Sequence, residues 1–158
     1  MVSDSTRAVS RALREFANRG VFRSFSEGRA RSGFPEFQFL WLTPYPFNLI
    51  FNPGKNSLTF RDLLPDMPAR SELYAEVRSF LETLSSKERP AHRRLDRRRI
   101  GIRCFNRRTK VSIEFAILRR EYRYGVRKSL EQVQELYLSF LNVYHPEYMV
   151  TNFHIDEE

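Results

Sequence analysis

Residues 89–110, RPAHRRLDRRRIGIRCFNRRTK, set nine arginines and one lysine against a single acid, Asp96. The chemistry open to such a run is anion binding, because a guanidinium stays charged and pairs bidentately with phosphate or carboxylate. The chain carries a net +8 and this run alone +9, so the other 136 residues sum to about −1. Basicity is therefore local and marks one region. Arg93, Arg94, Arg97, Arg98, Arg99, Arg107 and Arg108 are the candidate polyanion-binding residues. Phe105, Tyr122 and Tyr124 stand near them as candidate stacking platforms for the bases of RNA or DNA. Strand geometry limits convergence, since alternate residues face opposite ways. Arg93–Arg99 and Arg107–Arg108 fall at opposite ends of a strand, on the order of 20–25 Å apart. Three readings stay open: a solvated or ion-paired face, a polyanion site, and a surface for an acidic protein. The acidic tail Asp156, Glu157 and Glu158 could also fold back on these arginines, in this chain or a second copy.

Bond-making chemistry has little to work with. The histidines are His92, His145 and His154, and none stands at zinc-ligand spacing to the lone cysteine, Cys104. Cys104 falls on the apolar register of its strand, which reads as a buried, inert thiol. GRARSG lacks the glycine spacing and the preceding strand of a phosphate loop. Glu131 and Glu135 lie on the wet side of a helix, and Asp62 and Asp66 read as turn or cap residues. No catalytic residue, cofactor or metal is implied, and the chain does not read as an enzyme.

The elements that position these residues follow from periodicity. Val9, Ala12, Leu13, Phe16 and Ala17 predict a helix over 6–19. Residues 23–33, RSFSEGRARSG, read as a mobile connector. Phe37, Phe39 and Trp41 alternate in a strand; residues 47–51 and 57–61 give two more, joined too tightly for parallel crossovers. Leu73, Val77, Phe80, Leu81 and Leu84 predict a second helix. Ile100–Phe105 and Val111–Leu118 form a hairpin, with Tyr122 and Tyr124 extending its second strand. Ser129 and Gln132 form a capping box for the last helix, which Pro146 stops. The expected architecture is α+β: a five-stranded antiparallel sheet with three helices, in the order α-β-β-β-α-β-β-α. It reads as one domain over 1–158, with a globular core at 5–145 and a tail at 146–158. Tyr148, Met149, Val150 and Phe153 of that tail are candidates to dock on the body or on a second subunit. Leu40, Leu42 and Ile50 lie opposite the Phe/Trp register, on a face open to a partner, and Tyr45 stands between two prolines. These four are the candidate partner-binding residues.

That order of elements resembles the class I type III secretion chaperone-like fold and its YbjN-type relatives. The likeness is carried by the first helix, FQFLWL…FNLIF…SLTF, SELYAEVRSFLETL, IGIRCF…VSIEFAIL and SLEQVQELYLSFL. It implies a homodimer that holds protein or peptide clients and performs no catalysis. This chain is basic where the secretion chaperones are acidic, so a secretion client does not follow. One cysteine, no apolar leader and no membrane-length apolar run suit a cytoplasmic protein without a membrane partner.

Overall fold

Strand alternation puts Phe37 and Phe39 on one side with Phe47, Leu49 and Phe51 of the next segment, and that shared face nucleates the core. In the computed structural model, which describes residues 2–155, six strands form one antiparallel sheet. They are β1 (Ser24–Arg29), β2 (Pro35–Leu40), β3 (Pro46–Asn52), β4 (Ser57–Leu64), β5 (Ile100–Arg107) and β6 (Lys110–Ile117), in the spatial order β1-β2-β3-β4-β6-β5. Register lines the aromatic residues up across it. Phe39 sits between Phe25 and Phe47, Leu49 between Phe37 and Phe60, and Phe115 between Leu58 and Ile102. Each fully buried Phe or Leu contributes about 1.5–3 kcal/mol of transfer free energy.

Helices cover that face. α1 (Asp4–Asn18) is capped by the Ser3 hydroxyl, which accepts the Thr6 N–H at 3.1 Å, and it buries Val9, Ala12 and Leu13. α2 (Glu72–Glu82) is capped in the same way by Ser71 and buries Tyr74, Val77 and Leu81. α3 (Tyr122–Glu135) runs on through a π turn, Leu136–Leu141, to Tyr144. Its Tyr137 is buried edge-on to Phe47, and its hydroxyl donates to the Leu63 carbonyl at 3.1 Å. A closing helix, Pro146–Phe153, buries Met149 and Phe153. None of the helices among the described residues is long and apolar enough to cross a membrane.

The sheet therefore has six strands and the covering layer four helices, not five and three. The extra strand is β1, inside the segment read as a connector. Its SFSEGR holds one large apolar residue, Phe25, whose ring lies 6.1 Å from Phe37 and 6.5 Å from Phe39. Pairing with β2 and that one anchor outweigh poor strand propensity. The extra helix begins at Pro146, which starts a helix after stopping the one before it, as proline at a first helical position can. Tyr122 and Tyr124 open α3 and do not extend β6; Arg120, at φ +53°, ends the extended chain before them. Ser129 is consequently mid-helix, not a cap, and its hydroxyl donates back to the Val126 carbonyl at 2.8 Å.

Among the described residues, the other sheet face carries no helix. Register sets Glu36, Ile50, Thr59, Glu114 and Arg103 side by side across it. Arg61 reaches Glu36 at 3.2 Å, Arg103 reaches Glu114 at 3.2 Å, and Gln38 donates to Asn48 at 2.8 Å. Asp62, read from sequence as a turn residue, marks an irregularity in the β4–β6 ladder. It adopts φ +51°, and its N–H, displaced from the ladder, is taken by the Ser112 hydroxyl at 2.9 Å.

Candidate functional site

The basic run begins where α2 ends. Leu84 and Leu95 are buried, and the Leu95 N–H bonds the Leu84 carbonyl at 2.8 Å, so the chain between them is a loop pinned at both ends. This loop lies along α3. Arg89 and Arg93 both reach Glu135, at 2.5 and 3.1 Å. Lys128 of α3, only 5% exposed, donates to the His92 carbonyl at 2.9 Å and pairs with Glu131 at 3.2 Å. Arg94 donates to the Lys87 and Arg89 carbonyls, and Arg97 to the Ser85 hydroxyl. Arg98 pairs locally with Asp96. Arg99 makes a two-pronged contact with Glu121, at 3.1 and 2.5 Å, while its guanidinium lies 3.4 Å from the centre of the Tyr124 ring.

The electrostatics follow from this geometry. The hydrogen bond from Arg99 holds the Glu121 carboxyl below its ordinary range, and hydrogen bonds from Arg98 do the same for Asp96. Burial works to raise Glu135, but hydrogen bonds and charge from Arg89 and Arg93 outweigh it, so it too titrates low. Between them, Glu121 and Glu135 answer three arginines of the run, so much of its charge is spent holding a loop to a helix.

The hairpin tip is different. Arg107 ends β5, and Arg108 and Thr109 turn the chain with φ +54° and +65°. Arg107, Arg108 and Lys110 are exposed and make no ion pair or side-chain hydrogen bond among the described residues. The seven arginines singled out from sequence thus do not converge: two lie on the loop along α3, three on the turn that follows Leu95, and two at the far tip. Asp156, Glu157 and Glu158 lie outside the described residues.

The partner candidates also divide. Leu40 and Ile50 lie half-buried on the helix-free face. Leu42 does not share it: it turns the chain at φ +63°, beyond the end of β2, and packs against the core. Tyr45 is 44% exposed and turns toward the closing helix, its ring 6.5 Å from Phe153 and 6.0 Å from His154. Beside the open face runs an unpaired edge. The Ala30 N–H bonds the Phe34 carbonyl, and alternation along an antiparallel ladder then turns the backbone amides of Phe25, Glu27 and Arg29 away from β2.

A third basic surface was missed from sequence. Phe16 and Arg19 at the end of α1 and Tyr122, Arg123, Tyr124 and Arg127 at the start of α3 line a cleft of about 940 Å³, with Arg99 beside them. Gly125 makes this possible. A Cβ there would come 2.7 Å from Cγ1 of Ile117, so only glycine lets the first turn of α3 rest directly on β6, next to Arg99. The signal was present: RREYRYGVRK, residues 119–128, holds five cations and one acid. It was masked because Tyr122 and Tyr124 read as strand.

The remaining chemistry is sparse. Cys104 is half-buried, with the Tyr74 hydroxyl 3.9 Å from its sulfur, and burial pushes the thiol up, leaving it protonated and unreactive. No group of His, Cys, Asp and Glu among the described residues could hold a metal ion. Comparison with protein families, with curated proteins and with solved structures finds no match to this chain.

Proposed function

We propose that the protein is a non-catalytic protein- or peptide-binding module, chaperone- or adaptor-like, that works as a homodimer in the cytoplasm. One observation carries this reading: helices cover one face of the sheet, while the other face and the β1 edge beside it are left to solvent. The occupant it fits is an extended segment of another protein. Such a segment bonds the amides of Phe25, Glu27 and Arg29 as an added strand and lays alternate side chains beside Ser24, Ser26 and Gly28, in line with Leu40 and Gln38 of the next strand. Main-chain bonds supply affinity without demanding one sequence, which suits a chaperone or adaptor.

The test is peptide selection from a random displayed library in nuclease-treated buffer, followed by hydrogen exchange on the complex. Amide exchange at Phe25, Glu27 and Arg29 is expected to slow at least about tenfold, as amides entering a ladder do. Glu27→Pro, which removes one outward N–H from the edge strand, should weaken every selected peptide. A library that yields no binder, or protection confined to the helical face, rejects the reading. Sedimentation equilibrium checks the dimer.

A further inference from the structure

We propose that the cleft between the end of α1 and the start of α3 binds the phosphate backbone of single-stranded nucleic acid. Four guanidiniums line it, those of Arg19, Arg99, Arg123 and Arg127, against two carboxylates, Glu15 and Glu121. Their commitments are unequal. Arg99 is tied to Glu121 and Tyr124. Arg123 meets Glu15 at 3.3 Å with most of its side chain in water, and Arg127 meets Glu131 only at 4.0 Å. Arg19 lies 4.6 Å from the Phe16 ring centre and has no carboxylate partner among the described residues. Three guanidiniums are therefore available at little cost, since exposed ion pairs contribute little to stability.

The surroundings favour phosphate on a polymer over a single carboxylate. The first turn of α3 has no capping side chain, so its backbone N–H groups add to the positive field at the cleft. An acidic side chain would only replace Glu15 or Glu121 with its like. A polyanion neutralises several guanidiniums at once and releases its counterions, a gain that one carboxylate lacks. Tyr122, Tyr124 and Phe16 set aromatic surface beside the cations, the combination that single-strand readers use. The site differs from the run at 89–110: it shares only Arg99 with it and draws the rest from two helices.

Fluorescence anisotropy with a labelled 12-nucleotide RNA across a salt series tests the proposal. Three variants of the full chain are compared with wild type: Arg19→Gln/Arg123→Gln/Arg127→Gln, the hairpin-tip control Arg107→Gln/Arg108→Gln, and the conservative Arg19→Lys/Arg123→Lys/Arg127→Lys. Thermal melts confirm folding, which exposed substitutions leave intact. The cleft variant should bind at least about tenfold more weakly at low salt. Its slope of log K on log salt should be shallower by about 2, at ~0.7 per lost single-strand contact. The lysine variant should restore most of the salt slope, and the hairpin control should bind as wild type does. Wild-type affinity for the cleft variant, or a loss that tracks the hairpin tip, overturns the proposal. So does RNA bound no more tightly than pyrophosphate, which would make the ligand a small phosphate. None of these results bears on the peptide-binding test, which reads the opposite face of the sheet.

Discussion

Arg99 and Arg107 stand at the two ends of one strand, in one basic run, and differ in almost every physical respect. Arg99 has a carboxylate, an aromatic ring and a helix around it. Arg107 has water, and beside it a turn built from two residues of positive φ. Composition treats them alike. What separates them is α3, which brings Glu121, Lys128 and Glu135 to meet residues 89–99 and leaves the hairpin tip beyond reach. Charge density in a sequence therefore reports how much electrostatic work is available, and the fold decides whether stability or a ligand receives it.

The sharpest way to break this contrast is to remove Glu135. Arg89 and Glu135 are 17% and 15% exposed at the side chain, so Glu135→Ala strands a largely buried guanidinium. The full penalty for a buried pair is ~3–5 kcal/mol, and both ends here still touch water, so the expected loss is about 2 kcal/mol. Denaturant unfolding measures it. Acid titration of the uncharged isostere Glu135→Gln gives a second reading. The folded Glu135 carboxyl titrates below its unfolded value, so its contribution is present above the ordinary glutamate range, about pH 4.3, and is lost as pH falls through the depressed value. Wild type should lose stability more steeply than Glu135→Gln below about pH 5. Parallel acid limbs would show that the loop is not held by this carboxylate.

Legibility in the sequence followed local signal strength. The hairpin of β5 and β6 was readable because Ile100, Ile102 and Cys104 alternate cleanly and face Ile117, Phe115 and Ile113 in register. β1 was not, because an edge strand with one anchoring ring carries too little apolar pattern to stand apart from a loop, and its order comes from β2. The start of α3 was obscured by Tyr-Arg-Tyr, which alternates like a strand, and by the absence of any capping side chain. The general α+β class survived both errors, since neither changed which face is apolar. At the candidate sites, the positions of the arginines were legible and their partners were not. Glu121 and Glu135 lie 22 and 46 residues from the arginines they hold, and no local rule links them. The open-face placement of Leu40 and Ile50 followed from period-2 alternation alone. Leu42 escaped it only because the chain turns left-handed there.

A smaller effect sharpens the comparison at Arg99. Arg99→Lys keeps the charge but loses the fork on Glu121 and the flat contact with Tyr124. Both partners are in contact with water, so the expected cost is a small fall in stability, less than that of Glu135→Ala, measured by thermal or denaturant unfolding. Tyr124 supplies an independent signal. Burial raises its hydroxyl, and the charge on Arg99 opposes that rise. A lysine moved off the ring should let the phenol titrate higher in ultraviolet absorbance. An unchanged titration would mean that Arg99 does not sit on this ring in solution.

The smallest effect is expected at the tip, and its smallness is the point. Arg107→Ala/Arg108→Ala removes two full charges from a turn where neither has a protein partner among the described residues. Substitutions at such positions stay within about 0.5 kcal/mol. The positive φ at Arg108 adds a modest strain that alanine does not relieve, so no gain is expected from that source. High salt should narrow even this difference, because exposed charges are screened within about 10 Å at ordinary ionic strength. If the double variant instead unfolded as easily as Glu135→Ala, the tip would have to be engaged in solution, by the acidic end of the chain or by a second copy. A rise of the wild-type melting temperature with protein concentration, absent in the variant, would then identify the second copy.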